Sequence, residues 1–385
     1  MSTPSAPPVR DTPFVNEFRL GARQWLLVLG TVALAILVTP WIWERAEQFP
    51  TGPDYRIPYS LSNDYWLFNR RLNQLTDPKQ IAVLGDSVIW GEYVLPDGTL
   101  SHFLNRETGD ANRFVNAGVN GLFPLAMEGL VEHYGSALRG RKVLLHCNLL
   151  WMSSPRADLQ TGEEGDFNHP QLVPQFSPQI PSYKADATER INAVIERNIP
   201  FFTWVKHVQD AYFGQKNIPG WTLSDDGSYP PKHPNAYKNP FRQITLAVPT
   251  AAAVDPMRGP TSKRHQPWTE TSAGPARFAW VAPEGSLQLA AFQRTVRLLR
   301  ERGNDVFVLV GPFNEHMVAE PSRAGYAKLR DAIDAWLTGE KLPHAVPATL
   351  PSEHYADASH PLTEGYQQLA RQLRPEPTFS AWLGR

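Results

Sequence analysis

The sequence predicts an α/β fold: a central parallel sheet covered by helices, with one apolar helix ahead of it and a long insertion within it. Three observations carry that reading. Short apolar runs alternate with helical patterns, as a parallel sheet requires. An uncharged apolar stretch lies near the N-terminus, and between about Met152 and Pro283 the alternation lapses.

The composition allows such a fold and excludes others. Across 385 residues, 37 Lys and Arg balance 38 Asp and Glu, so no nucleic-acid footprint is expected. With 36 Pro and 12 Trp beside a hydrophobic fraction of 42%, the chain should hold long ordered connections around a sizeable core. A lone Cys147 gives no disulfide framework and no cysteine-rich metal site. No cofactor or metal is expected.

The elements follow in order. Residues 1–24 read as a cytoplasmic tail with Arg10, Arg19 and Arg23, and residues 25–43, WLLVLGTVALAILVTPWIW, as a transmembrane anchor. At ~1.5 Å per residue this stretch comes close to the ~30 Å hydrocarbon core, and Trp25, Trp41 and Trp43 sit where aromatic belts lie. It is long for a signal-peptide core and has no cleavage pattern after it. Arg45 and Arg56 follow closely, yet the arginine bias still puts the tail inside and the bulk of the chain outside the cytoplasmic membrane. Residues 44–78 read as a juxtamembrane linker, including a short helix or loop in RIPYSLSNDYWLFNRRLNQL.

The alternating α/β region then falls in two parts, residues 79–151 and 284–385, separated by the insertion at 152–283. Strands are expected at IAVL (81–84), RFVNAGV (113–119), KVLLHCN (142–148) and DVFVLVG (305–311). The clearest helix is GSLQLAAFQRTVRLLRERG, where Leu289, Phe292, Val296 and Leu299 keep a 3-4-3 spacing and Gly303 supplies a stop. The insertion holds one helical pattern, ATERINAVIERNIPFFTWVKHVQDAYF, and a Pro/Gly/Trp-rich tract without a period. A cap or lid is expected there. In that pattern Phe201, Phe202 and Trp204 are candidates for touching the bilayer, yet their helical spacing favours the core.

Ligands of open parallel sheets bind beyond the carboxyl ends of the strands. Each strand here ends in small or polar residues: Gly85-Asp86-Ser87, Asn120-Gly121, Asn148, and Phe313-Asn314-Glu315-His316. Near the C-terminus, Asp357 precedes His360 by three residues in DASHP. A histidine can take a serine proton when a carboxylate fixes its tautomer and stabilises the imidazolium. Ser87, His360 and Asp357 therefore form a candidate catalytic set. Asn314 and His316 are candidates either for binding the alcohol part of a substrate or for loop capping and turn hydrogen bonds. His316 competes with His360 as the base, and Asp357 favours His360. Asp86 reads as a turn former, and His102, His133 and His207 as surface or satisfied histidines.

Together these pieces resemble the SGNH, or GDSL-type, hydrolase family, over most of Lys79 to Leu150 and Asp305 to Leu373. GDS ending a strand is similar to the family's first block, VNAGVNG to its second, VLLHCN to its third and DASHP, with Gly365-Tyr366 downstream, to its fifth. The resemblance implies a flavodoxin-like three-layer fold, with Ser87 as nucleophile, His360 as base and Asp357 as its partner. It implies an oxyanion hole from the backbone N–H groups of Ser87 and Gly121 and the Asn148 amide. The family commonly has glycine and aspartate where this chain has His146 and Leu149, a departure that fits membrane-anchored relatives working on bacterial glycans. The expected activity is ester hydrolysis or acyl transfer on O-acetyl groups of a cell-envelope or exported polysaccharide, with a multispanning acyl-carrier protein as partner. The competing readings are a catalytically silent glycan-binding or assembly protein and a lipid or small-ester esterase.

Overall fold

A computed structural model describes residues 20–163, 168–214, 242–248, 266–272 and 274–384. Arg10, Arg19 and nearly all of the expected tail lie outside the described residues, as do long parts of the insertion.

The sheet has five parallel strands: β1 (Ile81–Gly85), β2 (Phe114–Gly118), β3 (Lys142–Cys147), β4 (Asp305–Val310) and β5 (His344–Ala345). Their order is β2-β1-β3-β4-β5. The chain thus starts in the middle, winds one way to β2 and then the other way to β5, which opens a crevice between β1 and β3 at their carboxyl ends. Four of the strands lie within a residue or two of the expected apolar runs. The fifth has two residues between prolines and no period to read.

Alternation along the strands feeds two cores. Ala82, Leu84, Val143, Leu145, Val306 and Val308 point to one face, and Ile81, Val83, Leu144, Phe307 and Leu309 to the other. The first face is covered by α2 (Tyr65–Asn73), α5 (Pro124–Tyr134), α9 (Leu287–Glu301) and α10 (Glu320–Gly339). The second is covered by α3 (Ser87–Trp90), α4 (Leu100–Thr108), α11 (Thr363–Leu373) and α12 (Pro377–Gly384). Layers on both faces explain why the strands are continuously apolar.

The helix α1 (Ala22–Ala46) is long and apolar enough to cross a membrane, with a mean hydropathy of 2.2, and only 6% of that stretch is buried against the chain. That separates it from a core helix. Residues 47–78 are integral to the domain rather than a free connection, because Phe49, Ile57 and Leu61 are buried in the core with α2.

The expected single helix in the insertion is two, α6 (Ala187–Asn198) and α7 (Pro200–Phe213). Pro200 has no N–H to continue the first and a φ suited to starting the second. α7 lies against α1, with Trp43 and Trp204 edge to face at 5.4 Å. Phe202 is 40% exposed and not in the core, a correction to the helical-spacing reading; Phe201 and Trp204 are partly buried. The other described parts of the insertion include the helix α8 (Trp268–Thr271) and buried Leu159, Leu172, Val173 and Ile180. Buried Asp158 binds Ser286 and the backbone N–H groups of Leu287 and Gln288, tying the insertion to the start of α9.

Candidate active site

Ser87 is the first residue of α3, directly after β1. Asp86 caps this short helix, accepting the Val88 N–H at 3.0 Å. The turn packs tightly on β2: a Cβ placed on Gly118 would lie 2.3 Å from the Trp90 backbone nitrogen. The serine therefore ends a buried strand because the strand-to-helix turn delivers it to the crevice at the sheet's switch point.

His360 and Asp357 approach from the loop before α11. Asp357 Oδ1 accepts the N–H groups of Ser359 and His360, both at 2.9 Å. Its two oxygens each lie 2.8 Å from His360 Nδ1, and His360 Nε2 lies 2.8 Å from Ser87 Oγ. Residues 273 positions apart in sequence are thus brought into hydrogen-bond reach. Burial alone would lower the His360 pKa, but the Asp357 charge and hydrogen bond, with Glu92 and Asp86, outweigh it and raise it to about 9. For Asp357, burial is outweighed by His360 and the loop N–H groups, and its carboxyl falls to about 2. The pair has the form of an oriented base beside a hydroxyl.

Asn148 follows β3 on the other side of the crevice. Its Nδ2 donates to Asp86 Oδ2 at 2.8 Å, and its Oδ1 accepts the Leu150 N–H at 2.9 Å. Both ends of the amide are held, so its direction is set before any ligand arrives. Asp86 also lies 3.1 Å from His146 Nδ1, while His146 Nε2 is buried without a partner. Asp86 is thus more than a turn former: one carboxylate caps α3, orients the Asn148 amide and partners a buried histidine. Gly121 has φ +71, and a Cβ there would lie 2.6 Å from Asn168 Nδ2, so both backbone and space call for glycine. His169 fixes the neighbouring residue, its Nε2 lying 2.8 Å from the Asn120 carbonyl oxygen.

Asn314 and His316 both make loop hydrogen bonds, the alternative to a role in substrate binding. Asn314 is wholly buried and donates from Nδ2 to the Asp357 carbonyl at 3.1 Å, while its backbone N–H donates to Ala358 at 2.9 Å. It holds the His360 loop and is closed off from a substrate. His316 Nε2 lies 3.0 Å from the Leu350 carbonyl oxygen, and the nitrogen facing Ser87 belongs to His360. His102 pairs with Asp54 at 3.0 Å, and His207 lies between two carboxylates. Among the described residues, no group of three or more His, Cys, Asp or Glu is placed to hold a metal ion.

Three site residues escape a reading of the sequence. Glu92 and Tyr93 lie just beyond α3, with Glu92 Oε2 3.5 Å from His360 Nε2 and the Tyr93 ring edge-on to His360 at 5.4 Å. Arg56, from the segment after α1, is buried and donates to the carbonyls of Trp90, Gly91 and Val94. Proximity to Ser87 in sequence is the only signal that could have raised Glu92, and nothing local marks Arg56. No family model matches the chain, and no curated protein matches it.

Proposed function

We propose that this protein is a membrane-anchored serine esterase or acyltransferase of the SGNH type, acting through an acyl-enzyme. The observation that carries this reading is the linear set of contacts from Asp357 through His360 to Ser87, each at 2.8 Å. Ser87 gives its proton to His360 Nε2 as Oγ attacks the acyl carbon. The oxyanion is held by the backbone N–H groups of Ser87 and Gly121 and by the Asn148 amide, one such donor being worth about 2.7 to 4 kcal/mol. His360 passes the proton to the departing alcohol. Water or a sugar hydroxyl then gives its proton to His360 and releases the acyl group.

The substrate we favour is an O-acetyl ester of a cell-envelope or exported polysaccharide, because α1 would hold the site at a bilayer surface. The domain is assigned to the extracytoplasmic side from the arginines before the span. One experiment tests activity and sidedness together. A charged, membrane-impermeant fluorophosphonate is applied to intact spheroplasts and to detergent-solubilised full-length protein, with Ser87→Ala as control. Labelling at Ser87 in both is expected. Labelling only after solubilisation reverses the orientation, and no labelling of folded protein favours a silent glycan-binding role.

A further inference from the structure

The loop after α3 places a second carboxylate at the working nitrogen of His360. Gly91 at φ +90 and Tyr93 at φ 68 both take left-handed conformations, and Tyr93 does so as a bulky residue. Such strain persists only where surrounding contacts over-determine it. Here the buried Arg56 grips the carbonyls of Trp90, Gly91 and Val94, and the Tyr93 ring packs edge-on against His360. The result is a fixed platform for Glu92.

Glu92 on that platform is under-partnered. Its Oε2 lies 3.4 Å from Asn120 Nδ2 and 3.5 Å from His360 Nε2, and these are its polar contacts among the described residues. A partly buried carboxylate ordinarily gathers several donors. Its side chain is 27% exposed, so it faces the mouth of the crevice. Any alcohol that leaves Ser87's acyl group, or attacks it, must pass its proton through Nε2 and so lies beside this carboxylate.

We propose that Glu92, supported by Asn120, is the subsite for the alcohol half of the ester and accepts a hydrogen bond from a hydroxyl next to the reacting oxygen. The alcohol is therefore a polyol, such as a sugar unit with a free hydroxyl flanking the acylated position. This rests on the serine-esterase reading. In the acylation step the bond from acyl carbon to sugar oxygen breaks, His360 Nε2 delivers the Ser87 proton to that oxygen, and the flanking hydroxyl stays hydrogen-bonded to Glu92. In transfer the same atoms move in reverse. An aliphatic alcohol gains nothing at Glu92, and an anionic one is repelled.

The test uses full-length protein in detergent and three esters: an acetylated methyl glycoside with a free flanking hydroxyl, the same compound with that hydroxyl methylated, and p-nitrophenyl acetate. For the wild type, kcat/KM should favour the free-hydroxyl glycoside over its methylated form by about tenfold to a hundredfold, the range of a hydrogen bond to a charged group. In Glu92→Ala that ratio should fall to about one, and Glu92→Gln should restore part of it. Equal turnover of both glycosides by the wild type, or an equal loss on all three esters in Glu92→Ala, would overturn the subsite. So would protein that is labelled at Ser87 yet turns over neither glycoside. Failure of labelling itself would strike the esterase reading instead.

Discussion

Two buried histidines of this chain have nearly the same chemical surroundings and opposite outlooks. His360 lies between Asp357 and Glu92, at 2.8 and 3.5 Å. His207 lies between Asp64 and Glu47, at 2.6 and 2.9 Å, and is fully enclosed. In both, burial alone would lower the imidazole pKa and the carboxylate charges raise it to about 9. Around His207 every direction is taken: Arg70, Tyr212 and Trp43 complete Glu47, and the cluster joins the end of α1 to α2 and α7. His360 instead turns one nitrogen to a hydroxyl at the sheet's crevice. A perturbed pKa therefore marks both a candidate site and a structural joint, and only the partner on the second nitrogen separates them.

The sharpest way to break that contrast is to remove each histidine. Ser87→Ala and His360→Ala should each lower turnover by about 10⁴-fold or more, and the double variant should lose little further, because a triad acts as a unit. His207→Ala should instead cost stability, of order 3 to 5 kcal/mol for leaving buried charges uncompensated. Its folded fraction should label at Ser87 at the wild-type rate. Thermal melts and labelling kinetics on the same samples decide the matter. A His207 variant that melts normally but labels slowly would put function at the joint.

Next in size is the proposed oxyanion side. Asn148→Ala should lower kcat by about 10²- to 10³-fold with a smaller change in KM, since its bond would strengthen chiefly in the transition state. Asp86→Asn should lower kcat in the same pattern but by less, because its reach is through the Asn148 amide. Steady-state kinetics on p-nitrophenyl acetate check both. A pure KM effect in Asn148→Ala would place that amide in ground-state binding.

How much of this was legible follows from distance along the chain. Ser87 and Asn148 each stand just past the end of a strand, and Asp357 and His360 stand three apart in the loop before a helix, so their places can be read from a few neighbouring residues. The role of Arg56 cannot, because it depends on carbonyls 34 to 38 positions away. Asp86 was visible as a turn former, yet its hold on Asn148 and His146 spans about 60 residues and exists only once β1 and β3 pair. Asn314 and His316 share a strand end with the site, and strand-end position alone did not say that one would be buried under the His360 loop. The break at Pro200 was written in the sequence, and the strong apolar pattern on both sides concealed it.

The smallest effect returns to what the two histidines share. Each has a folded-state pKa near 9, above the ordinary value of about 6.5, so each contributes stability that is complete below about pH 6.5 and is lost as pH rises through 9. The melting temperature of the full-length protein should therefore fall gradually between pH 6.5 and 9. His207→Gln should flatten part of that slope and His360→Gln another part. Under the proposed mechanism activity should move the other way, because His360 would accept the Ser87 proton only when neutral, so kcat/KM should climb over the same interval. Glu92→Gln removes one of the charges that raise His360 and should shift the rising limb to lower pH. A melting temperature flat from pH 6.5 to 9, or an activity limb already complete at pH 6.5, would show that the carboxylates do not hold these imidazoles charged. The resemblance between the two clusters would then be one of geometry alone.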